Sequence, residues 1–371
     1  MRRRAHRVAG LAALALAGVP NLAAQALGGG GTAYAGMEVR SLRFERLAGI
    51  KYLRQVGIPF GVVLPAGRFS FDAGSAWVRT TMERADGTAH SVGAFTDTQV
   101  RGTAVVGREA MVFTVVVNLP TGPTAAPPRD YAVIGAISPS LFGFPVASYS
   151  SGFSITGGAA AVIPAGGWSI GVAGSVRVTR RYTPYTDATG PITYRPGAEA
   201  RIRGGADRLL GSSRLSLGVT YSTFGDDQFG GASTVRGQYR PGPRWIGEAQ
   251  LAAPVGAGTL SVGLWHFHRS AGDTTGASAR NREDLTSGEV SLSLPVSARL
   301  DFTPALSVRR SDAEVGGGYL VGVEAGIHLR LSERVVFSPT VRYESGSLDD
   351  DRLVRGRISA LVGSAFVRVF Y

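Results

Sequence analysis

Few residues in this sequence are of a type and spacing that could do chemistry. Beyond the first 26 positions the histidines are His90, His266, His268 and His328. A histidine becomes a catalyst or a ligand only beside a nucleophile, a carboxylate or a metal. His266 and His268 lie two apart, so on a strand they share a face, which is a possible metal spacing. No carboxylate can be set beside them from sequence. With Trp265 and Phe267 as neighbours they read as rim residues at the level of lipid headgroups. His328 falls near Glu324 and Arg330 and reads as a polar wall residue. Cysteine is absent, which excludes thiolate metal sites and a disulfide scaffold. No catalytic residue, metal or cofactor is assigned, and the chain reads as a non-enzyme.

The elements that carry these residues are strands. Apolar and polar residues alternate strictly, and successive side chains of a strand point to opposite faces. Tyr319, Val321, Val323, Ala325, Ile327 and Leu329 oppose Leu320, Gly322, Glu324, Gly326, His328 and Arg330. Phe302, Leu306 and Val308 oppose Asp301, Ser307 and Arg309, and Val341 and Tyr343 oppose Arg342 and Glu344. Trp168 to Thr179 and Leu215 to Tyr221 follow the same rule. A soluble sandwich alternates too. Here, though, the apolar face ends in aromatics (Trp168, Tyr221, Tyr319, Tyr343), as an interfacial girdle requires, and the other face is Gly, Ser, Thr, Arg and Glu, as a wet lumen requires.

The connections are asymmetric. Short turns recur at Pro65–Gly67, Gly107–Glu109, Pro164–Gly167, Gly211–Ser213, Val255–Gly258, Val296–Ala298 and Ser332–Arg334. Longer polar loops lie between them, at 83–92, 184–191, 225–232, 270–284 and 346–356. The fold predicted is all-β: a transmembrane antiparallel β-barrel of about 16 strands, 14 being the other possibility, with short periplasmic turns and longer extracellular loops. The segment from Met37 to Ile50 is ambiguous.

Both chain ends agree with this. Arg2, Arg3, Arg4 and Arg7 precede an apolar run of about 12 residues, too short for the ~20 a membrane helix needs, and Ala24-Gln25-Ala26 supplies a cleavage site. Residues 1–26 are therefore predicted to be a signal peptide, and 27–371 a single barrel domain in the bacterial outer membrane. Part of the formal net charge of +12 thus belongs to export, and nucleic acid is not expected as a partner. The chain ends with Val367, Val369 and Tyr371 at alternate positions. This resembles the terminal signal read by the outer-membrane assembly machinery, which is expected as a partner alongside membrane lipid and lipopolysaccharide.

On the strand parity, Arg177, Glu199, Arg201, Arg203, Asp301, Arg309, Glu324, His328, Arg330, Arg342 and Glu344 line the lumen, as do Asp72, Glu289 and Arg368. Such residues tune selectivity or pair across the wall. Residues 120–151 carry Tyr131, Leu141, Phe142, Phe144 and Tyr149, more apolar surface than an extracellular loop leaves in water. Two placements fit: folded into the barrel as a constriction, or packed on the outer rim. Barrel-wall phospholipases and proteases use His, Ser and acidic residues, but no motif matching theirs is recognisable here.

Phe95-Thr96-Asp97-Thr98-Gln99-Val100-Arg101, followed by Val116-Val117-Asn118-Leu119-Pro120-Thr121-Gly122, resembles the paired strand motifs of outer-membrane channels of the aromatic-hydrocarbon and fatty-acid transporter type, including the meta-pathway phenol-degradation family. The match covers about 30 residues, with Phe95 at the position where that pattern has glycine. The resemblance implies passive uptake of small apolar or aromatic molecules, with the apolar loop as gate. The rival readings are a porin for small polar or anionic solutes, and a structural or adhesion barrel with an occluded lumen.

Overall fold

A computed structural model describes residues 30–371 except 46–48, 108–110, 188–189, 231–237, 275–276, 280–281, 315 and 350–354. The signal peptide predicted at residues 1–26 lies outside the described residues, as do parts of the 107–109 turn and of the predicted loops at 184–191, 225–232, 270–284 and 346–356.

The alternating segments become long antiparallel strands. The first half of the wall is β1 (Thr32–Glu45), β2 (Ile50–Ala66), β3 (Phe69–Arg84), β4 (Ala89–Phe95), β5 (Thr98–Val106), β6 (Met111–Leu119), β7 (Ser154–Ala165) and β8 (Trp168–Thr179). Beyond β8 stand a hairpin of β9 (Tyr182–Asp187) and β10 (Gly190–Arg195), then β11 (Glu199–Leu210) and β12 (Ser213–Phe224). A second extracellular pair, β13 (Asp227–Gly230) and β14 (Gln238–Arg240), precedes β15 (Arg244–Val255) and β16 (Gly258–Arg269). A third, β17 (Gly272–Thr274) and β18 (Ala277–Ala279), precedes β19 (Glu283–Ser297), β20 (Leu300–Ala313), β21 (Gly317–Arg330), β22 (Val335–Asp349) and β23 (Arg355–Phe370).

β4 and β5 pair with successive stretches of β3, Trp77 opposite Phe95 and Gly74 opposite Gln99, so together they occupy one position in the wall. β23 pairs with β1 along its length and closes the ring at 16 positions. Closure removes every free sheet edge within the membrane, a condition for strands to span hydrocarbon. No helix among the described residues is long and apolar enough to cross a membrane.

The faces separate as the alternation requires. Ile58, Phe60, Val172, Ile202, Leu264, Val323 and Leu361 are exposed on the outside, where lipid covers them, while Leu42, Leu53 and Val78 point inward and have no exposed surface. A closed barrel with an outward apolar band is the architecture of the bacterial outer membrane, and this protein is an outer-membrane barrel. On the outside at the extracellular end, the band gives way to Arg43, Arg54, Arg79 and Arg357, all exposed.

Tight turns join the strands at the periplasmic end at six of the seven predicted places, the seventh, at 107–109, lying partly outside the described residues. At several of them a glycine with positive φ makes the reversal, such as Gly67 at 64° and Gly211 at 63°, a region that L-residues with a Cβ rarely adopt. The ambiguous segment resolves into β1 and the start of β2. The predicted extracellular loops differ from expectation. Three of them rise as hairpins and pair edge to edge into a six-stranded sheet, β18-β17-β14-β13-β10-β9, standing over the wall from β8 to β19. Alternation is too weak in these short polar segments for their pairing to be read from sequence.

Candidate functional site

The site is the extracellular half of the lumen, which residues 120–153 enter between β6 and β7. This segment carries helix α1 (Tyr131–Ile137) and two single 3-10 turns, at Pro128–Asp130 and Ser140–Phe142. Its apolar side chains, Val133, Ile137, Leu141, Phe142, Phe144 and Tyr149, are buried against inward residues of the wall, among them Leu42, Phe44, Leu53, Val78, Met82, Leu285, Leu320 and Ile358. Phe142 stands edge-on to Phe44 at 5.4 Å and to Phe144 at 6.5 Å, the geometry that ring quadrupoles favour. Of the two placements open from sequence, the structure has the one inside the barrel. Tyr131 differs from the other four candidate residues. It is exposed at the mouth, 5.7 Å edge-on to Tyr185.

Polar contacts tie this plug to widely spaced strands. Gln55 on β2 acts as a peptide mimic, donating to the Val146 carbonyl at 2.8 Å and accepting from its N–H at 3.0 Å. Tyr149 Oη donates to Thr80 Oγ1 at 2.7 Å, and burial pushes that phenol above its ordinary pKa. Across the lumen, Arg309 Nη1 donates to the Leu141 carbonyl at 3.1 Å and Ser140 Oγ to Glu283 Oε2 at 3.1 Å. His90 Nε2 lies 2.7 Å from Asp130 Oδ1. Each end of the plug is held at the break between β4 and β5, where Asp97 accepts from Asn118 Nδ2 and from the Ser151 N–H, both at 2.8 Å. The motif residues Asp97 and Asn118 therefore anchor the plug.

Inward charges elsewhere form pairs. Arg342 donates to Glu324 Oε2 at 2.6 Å and Glu289 Oε2 at 2.9 Å and lies 3.8 Å from Glu344, which also binds Arg40. Arg203 holds Glu248 at 2.6 Å, and Arg201 holds Glu199 at 2.7 Å. Arg177 reaches Ser151 at 3.4 Å. His328 Nδ1 lies 2.9 Å from Ser338 Oγ, with Asp301 opposite it in register. Arg330 is exposed at the periplasmic end of β21. Val367, Val369 and Tyr371 are exposed on the outside at the closing strand. Sequence reasoning missed Arg40, on the ambiguous segment, and Glu248, whose strand was not read.

Trp265 and Phe267 lie on the opposite face of β16 from His266 and His268. They point inward and pack on the plug cluster, because Gly263, two residues earlier, shares the lumen face with Glu289 opposite it. Their alternates His266 and His268 consequently face out. Below Trp265 a concavity of about 260 Å³ is lined by inward-facing Ser216, Gly218, Glu248, Gln250, Gly263, Ser287 and Glu289. Among the described residues no cluster of three His, Asp or Glu side chains fits a metal ion.

No protein-family model matches the chain, and no curated protein matches it. Solved structures similar to it include a deletion mutant of the TodX monoaromatic hydrocarbon channel, at 10% identity and TM-score 0.48, covering 93% of this chain and 91% of that one. The CymD monoaromatic hydrocarbon channel is 10% identical with TM-score 0.45, over 93% and 90% of the two chains. OmpT, an outer membrane protein of Vibrio cholerae, is 9% identical with TM-score 0.41, over 92% and 98%.

Proposed function

We propose that the protein is an outer-membrane channel for passive uptake of small apolar or aromatic molecules. The observation that carries this reading is the apolar plug seated on an apolar sector of the lumen wall. A pore for polar solutes works through a hydrated constriction lined by charge. Here the plug is seated on Leu, Val, Met and aromatic side chains of the sector from β19 round to β4, which are buried beneath it, so a molecule that loosens the plug meets an apolar wall. A small aromatic loses water on leaving the outside and regains apolar contact along this sector. The concavity beneath Trp265 supplies a resting place below the plug, with a ring for stacking and Gly263 leaving open space in its wall: a Cβ added there meets nothing within 4 Å.

Planar-bilayer conductance of the refolded protein, combined with toluene uptake into proteoliposomes, tests the reading. Toluene uptake with little ionic current is the expected result, and Gly263→Phe should slow the uptake. Stable large ionic steps without toluene uptake would replace it with a polar-solute porin. Neither current nor uptake would leave a structural barrel.

A further inference from the structure

We propose that Ser270, His268 and Asp284 form a serine-hydrolase site on the outer wall of the barrel that cleaves acyl esters of membrane lipids. In the register of β16 with β19, His268 lies directly opposite Asp284. His268 Nδ1 is 2.6 Å from Asp284 Oδ1, and His268 Nε2 is 3.2 Å from Ser270 Oγ. A carboxylate only accepts, so Nδ1 carries the ring proton and Nε2 is left to accept from the serine hydroxyl. Hydroxyl, imidazole and carboxylate thus stand in sequence at the distances of a nucleophile, its general base and the group that orients the base.

The neighbours fix each member. Arg282 Nη1 donates to the second oxygen of Asp284 at 2.8 Å, which sets the carboxylate plane. His266, 4.0 Å from Asp284, is engaged by Thr286 at 2.9 Å and leaves Oδ1 to His268. At the serine, the backbone N–H of Ser270 donates to the Pro243 carbonyl at 3.0 Å. The chain at Gly242 lies so close that a Cβ there would come within 2.1 Å of the Ser270 carbonyl oxygen.

The site faces lipid, and this selects the substrate class. His268 and Asp284 project from the outer face, with exposed Leu264 and Val290 on that face toward the membrane centre. Trp245, opposite His268 on β15, is exposed and lies 4.4 Å from Tyr221. Outward aromatics of this kind mark the boundary between acyl chains and headgroups, the depth at which the ester bonds of a glycerolipid lie. Its acyl chain would run down past Leu264.

The reaction balances without any further reagent. Ser270 Oγ attacks the ester carbonyl while its proton passes to His268 Nε2, and Asp284 stabilises the imidazolium. The bond from the carbonyl carbon to the glycerol oxygen breaks, and that oxygen takes the proton from His268. Water, giving a proton to His268, then attacks the acyl-Ser270 ester. Fatty acid leaves and the hydroxyl is restored. The wall separates this chemistry from the lumen, so the proposal stands whether or not the uptake reading does.

Full-length refolded protein incubated with dioctanoyl phosphatidylethanolamine should release fatty acid, and a fluorophosphonate should label Ser270, as read by peptide mass spectrometry. Ser270→Ala abolishes both, and His268→Ala abolishes labelling. Asp284→Asn, a change at a positioning residue, lowers kcat by roughly 10⁴-fold with KM little altered, and Asp284→Glu regains part of the loss. Heat-modifiable migration verifies the barrel in each variant. Wild-type barrel that neither releases fatty acid nor takes the label, or release that persists in Ser270→Ala, would overturn the proposal.

Discussion

Asn118 donates its side-chain amide to Asp97 at 2.8 Å across the break between β4 and β5, and the same carboxylate oxygen accepts the Ser151 N–H from the far end of the plug. One side chain therefore closes a loop of more than 30 residues onto the wall. Gly122 adds a longer contact to the other Asp97 oxygen at 3.4 Å, and Thr121 Oγ1 donates to the Thr96 carbonyl at 3.0 Å. The strand is interrupted here because its polar groups serve the plug instead of the ladder.

Releasing that latch should loosen the plug without opening the barrel. Hydrogen bonds to a charged group contribute about 1.5–3 kcal/mol each, and Asp97→Ala removes two good ones. In planar bilayers the variant is expected to show brief ionic openings absent from the parent, while heat-modifiable migration is retained. A silent Asp97→Ala channel would mean that the plug's remaining polar and apolar contacts hold it without the latch.

Those apolar contacts have their own test. Phe142 is 7% exposed and touches both Phe44 and Phe144, and truncating a buried Phe to Ala costs about 3–5 kcal/mol. Phe142→Ala should raise toluene flux and the frequency of plug cleavage by protease added outside. Deleting residues 123–147 should go further and give steady conductance. Unchanged conductance after the deletion would show that something other than the plug closes the lumen.

Charge in the lumen matters once the plug is gone. Arg342 faces three carboxylates, Glu324, Glu289 and Glu344, of which Arg40 partners one. In the plug-deleted background, Arg342→Gln leaves two of them without a cation. The reversal potential in a salt gradient should move toward cation selectivity. A shift toward anions would place these carboxylates outside the ion path.

The wall was legible in the sequence because a period of two survives in any strand with lipid on one side and water on the other. Tyr319 to Leu331 could be sorted residue by residue without knowing a single neighbour. Register across a long connection was not legible, and the outer-wall constellation depends on it. Ser270 reads only as the first residue of the 270–284 loop, one position past the strand that carries His268. Nothing in the 13 residues from Ala271 to Glu283 says that Asp284 returns to lie opposite His268, because that needs the length and pairing of the β17–β18 hairpin. The same gap hid the inward turn of Trp265, since two aromatics beside two histidines can be assigned to either face until one inward neighbour, here Glu289, is known. Asp97 and Asn118 were singled out as a motif, but their joint grip on Ser151 lies in tertiary contact.

The extracellular sheet gives a prediction in pH. Tyr194 on β10 donates its phenol to Asp227 Oδ2 at 2.6 Å and stacks on Phe229 at 4.8 Å. Burial first, then the hydrogen bond and the negative charge of Asp227, push its pKa far above the ordinary value. With the folded value raised, the stabilisation is complete below the unfolded phenol value of about 10 and is lost as pH rises from there toward the folded value. In alkaline titration followed by tyrosinate absorbance, the wild type minus Tyr194→Phe difference should therefore stay flat where exposed tyrosines ionise, and rise only when the sheet opens. Asp227→Asn removes the charge that resists ionisation, so its difference signal should begin at lower pH. If Tyr194 ionised together with the exposed tyrosines, the sheet would have to be open in solution, and the wall from β8 to β19 would lose the cover that its paired hairpins provide.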